Sequence, residues 1–95
     1  MKNYKYYSII EYSLVNPDHA TIQYVFTHIQ QLAFAIDVEK STVYKTIKNN
    51  NGRFSTRGKL AHLKNLRVFR TNDINLIEFN QTEDGVYYKP VTEQM

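Results

Sequence analysis

Nine basic side chains, Lys40, Lys45, Lys48, Arg53, Arg57, Lys59, Lys64, Arg67 and Arg70, fall between positions 40 and 70 with no Asp or Glu among them. Ammonium and guanidinium groups at this density suit phosphate. Each contact displaces a condensed counterion, and the field that matters acts within about 8–10 Å, one Debye length. The remaining residues hold three Lys against nine acids, so the formal net charge of +3 conceals a segment of +9 between flanks that sum to −6. The middle of the chain is suited to a polyanion.

Other chemistries are poorly supplied. Cysteine is absent, which removes disulfides, thiolate zinc sites and cysteine nucleophiles together. His19, His28 and His62 are widely spaced and unaccompanied by other soft ligands, so no metal site is expected. Glu78, Glu83 and Asp84 cluster around a turn, where solvated acids are ordinary, and neither a Gly-rich phosphate loop nor a Ser/His/Asp grouping occurs. Gly85-Val86-Tyr87-Tyr88 resembles the opening of a nuclease motif, with too little chain after it for the other catalytic elements. The sequence therefore predicts a protein that is not an enzyme, with no cofactor and no small-molecule substrate.

The elements that must position the cations are legible in the periodicity. With 95 residues, 42% of them hydrophobic, the chain can bury one small core, so residues 1–95 are expected to form a single α+β domain. Residues Tyr6 to Val15 are rich in β-formers and partly alternate; Asn16-Pro17-Asp18-His19 suits a type I turn, and Ile22, Tyr24 and Phe26 alternate after it. These predict an N-terminal β-hairpin. Leu76 to Asn80 and Val86 to Lys89, around an Asp84-Gly85 pair suited to positive φ at the glycine, predict a C-terminal β-hairpin. Between them the period changes. Ile29, Leu32, Ala33 and Ile36 mark one face of a helix of about two and a half turns, with Thr27 as the expected N-cap. Val43 and Ile47 mark a second helix over Ser41 to Asn49, which leaves Lys40, Ser41, Tyr44, Lys45 and Lys48 pointing outward. Two short helices about four residues apart, within 27–49, form a helix-turn-helix whose second helix can enter a DNA major groove. Leu60, Leu63 and Leu66 fit a third helix, whereas Leu66 to Arg70 alternates like a strand, and the two can follow one another. With a third helix the whole would be a winged-helix-like variant, the last hairpin serving as a wing or joining a small sheet packed on the helices.

The stretch from Leu32-Ala33 through the turn to Ser41-Thr42-Val43 and Ile47 resembles the common bacterial helix-turn-helix pattern. The wider run from Tyr12 to Phe54 resembles the nuclease-associated modular DNA-binding domain found beside homing endonuclease catalytic domains. Phe26-Thr27-His28-Ile29 before the first helix and Asn51-Gly52-Arg53-Phe54 after the second stand at the places of that family's short motifs. Asp37 occupies a turn position that is often Gly, and Glu39 stands where Ser or Thr usually caps the second helix. Asp tolerates the left-handed conformation better than most residues, and a carboxylate favours a helix N-terminus while opposing nearby phosphate.

The resemblance implies roles. Lys40, Ser41, Tyr44 and Lys45 are candidates for contact with base edges, Lys45 first among them. Thr42, Lys48, Arg53, Arg57 and Lys59 are candidates for phosphate contact. Tyr44 equally suits packing against the hairpin, and Lys48 and Lys64 equally suit simple solvation. The expected protein is a small DNA-binding regulator of transcription, or an accessory factor, of a phage or mobile element. A module of this size reads only a few base pairs, so a homodimer or a protein partner is expected as well. The alternative is a phage-type inhibitor that docks a basic, tyrosine-rich surface (Tyr4, Tyr6, Tyr7, Tyr87, Tyr88) on a host enzyme or on RNA. No apolar run approaches the roughly 20 residues of a membrane span, and the start lacks the apolar stretch of a signal peptide, so a cytoplasmic protein with no membrane partner is expected.

Overall fold

A computed structural model describes residues 4–91. β1 (Tyr6–Tyr12) and β2 (Ala20–Phe26) form the expected antiparallel hairpin, with Tyr7 opposite Phe26 and Ile9 opposite Tyr24. His19 N donates to Asn16 O at 2.9 Å, closing the Asn-Pro turn, and Ser13 Oγ accepts from the amides of Val15 and Asn16. α1 (Ile29–Ala35) and α2 (Lys40–Asn49) follow, and then β3 (Leu66–Thr71), β4 (Asn80–Gln81) and β5 (Tyr87–Pro90).

All five strands belong to one antiparallel sheet of order β3-β1-β2-β5-β4. The register sets Ile9 beside Val68 and Tyr24 beside Tyr88, so alternate residues collect on one face. The helices cover that face, α1 over β1 and β2 and α2 over β3. Ile9, Phe26 and Val68 from the sheet meet Ile29, Leu32, Ala33 and Val43 from the helices, joined by Phe54 and Leu63 from the connecting segments. Leu32, Val43 and Val68 are fully buried, each contributing about 1.5–3 kcal/mol relative to exposure.

Residues 72–79 carry the chain from the β3 edge to the β4 edge. Lys89 lies opposite Gln23 on the side of the sheet that holds Ser8 and Val25, and its Nζ reaches Glu78 Oε1 at 3.0 Å. Ser8 and Val25, on the same side, are fully buried, and Ser8 Oγ is satisfied by Tyr24 O at 2.7 Å and Gln23 Nε2 at 3.0 Å.

Several expectations need correction. The first helix is seven residues long, and its N-cap is His28, not Thr27, with extended backbone and no side-chain cap bond. No third α-helix forms between 59 and 66; a single 3-10 turn, Ala61–Leu63, runs into β3. Asn65 stops it, because Tyr12 N donates to Asn65 O at 2.8 Å and Asn65 Nδ2 donates to Tyr12 O at 3.1 Å, which commits the chain to pairing with β1. The first limb of the C-terminal hairpin shrinks to Asn80–Gln81, since Leu76–Glu78 winds into a 3-10 turn capped by Asn75 Oδ1. Gly85 does take positive φ, at 86°. That hairpin joins the sheet at the edge away from α2, so it is not placed as a wing beside that helix. Among the described residues no helix is long and apolar enough to cross a membrane.

Candidate nucleic-acid interface

Sheet order turns a segregation along the chain into one in space. β3 stands at one edge and β4 at the other, four strand spacings or about 19 Å away, and the turn after β4 carries Glu83 and Asp84. The basic segment runs over α2, the loop after it and β3, so it gathers at the first edge. Among the described residues the ion pair is Lys89–Glu78, and none of the nine cations between 40 and 70 is spent on one.

The turn before α2 is built by its sequence. Asp37 takes the left-handed conformation at φ 57°, its amide donates to Phe34 O at 3.2 Å, and the Val38 amide donates to Ala33 O at 3.0 Å. This paired closure is the Schellman arrangement, and Val38 packs on the core beside it. Glu39 is the N-cap of α2 without a side-chain cap bond, its carbonyl accepting from the amides of Thr42 and Val43. Val43 and Thr46 face inward, and Thr46 Oγ1 donates to Thr42 O at 2.9 Å, so the polar group is satisfied where it is buried.

Of the expected base-contact residues, Lys40, Ser41 and Lys45 are exposed, and Ser41, Lys45 and Lys48 follow one another at i, i+4 and i+7 on a single stripe. Tyr44 occupies an intermediate place. It is 39% exposed, yet its phenol comes close enough to that of Tyr7 on β1 to perturb it. Burial first, then the hydrogen bond and charge of Tyr44, push the Tyr7 phenol above its usual range, while Arg70 acts in the opposite sense. Arg70 in turn lies 4.8 Å from the centroid of the Tyr4 ring.

Of the expected phosphate-contact residues, Lys48 is exposed in the last turn of α2, Thr42 is half-buried, and Arg57 and Lys59 are exposed in the loop that follows. Arg53 is placed by a strap. Asn51 and Gly52, at φ 54° and 80°, reverse the chain after α2, and Val68 N donates to Gly52 O at 2.8 Å, so the segment lies along the outer edge of β3. A Cβ on Gly52 would stand 1.9 Å from Val68 O, so no other residue fits there. Phe54 anchors the strap in the core, and between them the Arg53 guanidinium stacks 4.4 Å from the centre of the Tyr12 ring. Arg67 Nε donates to Asn51 O at 3.1 Å, which ties the next cation to the same strap.

Sequence reasoning passed over Tyr12 as a partner of the cations. No local signal could have found it, because the pairing spans 41 positions and follows from the β1–β3 register. The five tyrosines of the alternative surface are half-buried, not freely exposed. No three His, Asp or Glu side chains gather as a metal site among the described residues. Compared with known proteins, the chain matches no family model, no curated protein and no solved structure.

Proposed function

We propose that this protein binds duplex DNA, with α2 in the major groove and the strap and loop of residues 51–59 on the phosphate backbone. One observation carries the reading: α2, the strap and loop after it and β3, which adjoin one another, carry all nine cations of residues 40–70, with no ion pair among the described residues to neutralise them. In this reading Lys45 and Ser41 reach base edges, Lys40 and Tyr44 flank them, and Lys48, Arg53, Arg57 and Lys59 hold phosphates, with Thr42 at the margin. The helix-turn-helix and the implied kinship with nuclease-associated DNA-binding modules support the same arrangement. The β3 edge then takes the place that a wing has in winged-helix proteins. A regulator or accessory factor of a phage or mobile element fits a module of this size, which needs a homodimer or a partner for useful selectivity.

Selection of bound duplexes from a random pool, followed by a salt titration, tests the proposal. One sequence should outcompete random DNA, and log K against log salt should fall with a slope of about −4 to −6 if five to seven phosphates are touched. Equal binding to all duplexes, or none, rejects it. A Tyr87→Ala change that abolishes a cellular activity while DNA is ignored transfers the case to the inhibitor reading.

A further inference from the structure

A concave site at the end of β1 plays no part in the groove-reading helix. It has a volume of about 170 Å³ and lies between the Ser13–Pro17 corner of the first hairpin and the segment from Arg53 to Asn65. Two kinds of wall meet there. Arg53 and Lys64 are cationic, Leu14 and Pro17 are apolar, and no Asp or Glu lines the cavity. Leu14 is 70% exposed, so the core is not what it serves.

The site is rigid on both sides. Gly52 bonded to β3 and Phe54 in the core hold the residues before and after Arg53. The Arg53 Cζ lies 4.4 Å from the Tyr12 ring centre, and a guanidinium held on an aromatic ring keeps N–H donors with which to fork an oxyanion. Opposite, Ser13 Oγ fixes the corner that carries Leu14, and the two Tyr12–Asn65 bonds fix the floor. A ligand entering here meets groups already in place, which lowers the ordering cost of binding.

We infer that this pocket takes a nucleoside 5′-monophosphate group, the phosphate on Arg53 and Lys64 and the base against Leu14 and Pro17. Inorganic phosphate alone leaves the apolar wall unused, and an apolar ring alone leaves two cations unpaired; a nucleotide carries both features on one small frame. The site stands apart from the α2 stripe, so its occupancy does not require groove binding. The group can come from a free mononucleotide or from the 5′-phosphorylated end of a strand.

Amide-resolved NMR titration of the full chain separates these cases. The probes are adenosine 5′-monophosphate, adenosine, inorganic phosphate, and hexathymidylate with and without a 5′-phosphate. Shifts should gather at Tyr12, Leu14, Arg53 and Lys64 with the mononucleotide or the phosphorylated oligomer, at concentrations where adenosine and phosphate leave them still. A response to the mononucleotide alone identifies a free ligand, and one to the oligomer alone identifies a strand end; either upholds the site. Arg53→Gln should weaken binding about tenfold or more, and Leu14→Ser, which alters an exposed side chain, several-fold with the fold intact. Phosphate matching the mononucleotide, the unphosphorylated oligomer matching the phosphorylated one, shifts confined to Ser41–Lys48, or no shifts at all would each overturn the assignment.

Discussion

The two edges of the sheet solve one problem in different ways. An open strand edge offers unpaired backbone groups to other chains. At β3 a strap covers it: Gly52 accepts from Val68, Arg53 bridges Arg67, and Phe54 locks the strap into the core. At the other side β4 is only two residues long, β5 ends in Pro90, which has no N–H to leave open, and the turn carries Glu83 and Asp84. The first solution builds a rigid cationic surface as a by-product, and the second merely limits the edge. Charge held on anchored backbone is preorganised for a ligand, whereas charge on a turn is solvated.

The largest expected effect comes from breaking the covered edge. Gly52→Val should cost about 3 kcal/mol or more in urea unfolding, because positive φ and the approach to Val68 O both forbid a side chain. Gly85→Ala at the opposite edge should cost only about 1–2 kcal/mol, since φ is similar but the nearest atom to a new Cβ is Gln81 Nε2 at 3.7 Å. Equal losses would mean that the strap is not held as described.

Charge reversal comes next. Lys45→Glu should lower affinity for a selected duplex about 10- to 100-fold by fluorescence anisotropy, while Asp84→Lys, in the turn of the last hairpin, should change it by no more than about twofold. A comparable response at both positions would remove the distinction between the edges. Smaller still, Lys48→Gln and Arg57→Gln should each reduce the salt slope by about 1, and Lys89→Gln should leave it unchanged.

The smallest effect concerns pH. The Tyr7 phenol, beside Tyr44 and Arg70, has its pKa raised in the folded state, chiefly by burial, so the fold favours the protonated form. Its contribution is complete below the ordinary value of about 10 and is lost as pH climbs through the higher folded value, where the unfolded chain holds fewer protons. Urea midpoints of the parent should therefore fall above about pH 10, and those of Tyr7→Phe should fall less over the same interval.

Much of the fold could be read before any coordinates. Alternation located β1 and β2, Asn-Pro located the turn between them and Asp-Gly the turn between β4 and β5, and the spacing of Ile29, Leu32 and Ala33 located α1. Asp37 and Gly85 adopt the positive φ that their residue types suggested. Less legible was the region after α2, where Leu60, Leu63 and Leu66 satisfy a helical spacing and are nonetheless divided between a 3-10 turn and a strand. Local periodicity could not weigh the two bonds that Asn65 makes to Tyr12 against another helical turn. Nor could it foresee that Leu76–Glu78 would leave the last hairpin for a 3-10 turn whose Glu78 pairs with Lys89.

Composition along the chain by itself determined that the middle third is cationic, that α2 is apolar on one side only, and that cysteine chemistry is excluded, because side-chain type and helical period are local properties. Which edge would carry the cations, that Arg53 would lie on Tyr12, and that Tyr44 would come up beside Tyr7 were decided by tertiary structure alone. Those contacts depend on a strand order in which β3 crosses back to pair with β1, and strand order is settled by burying Ile9, Val68, Phe54 and Leu63 in one core.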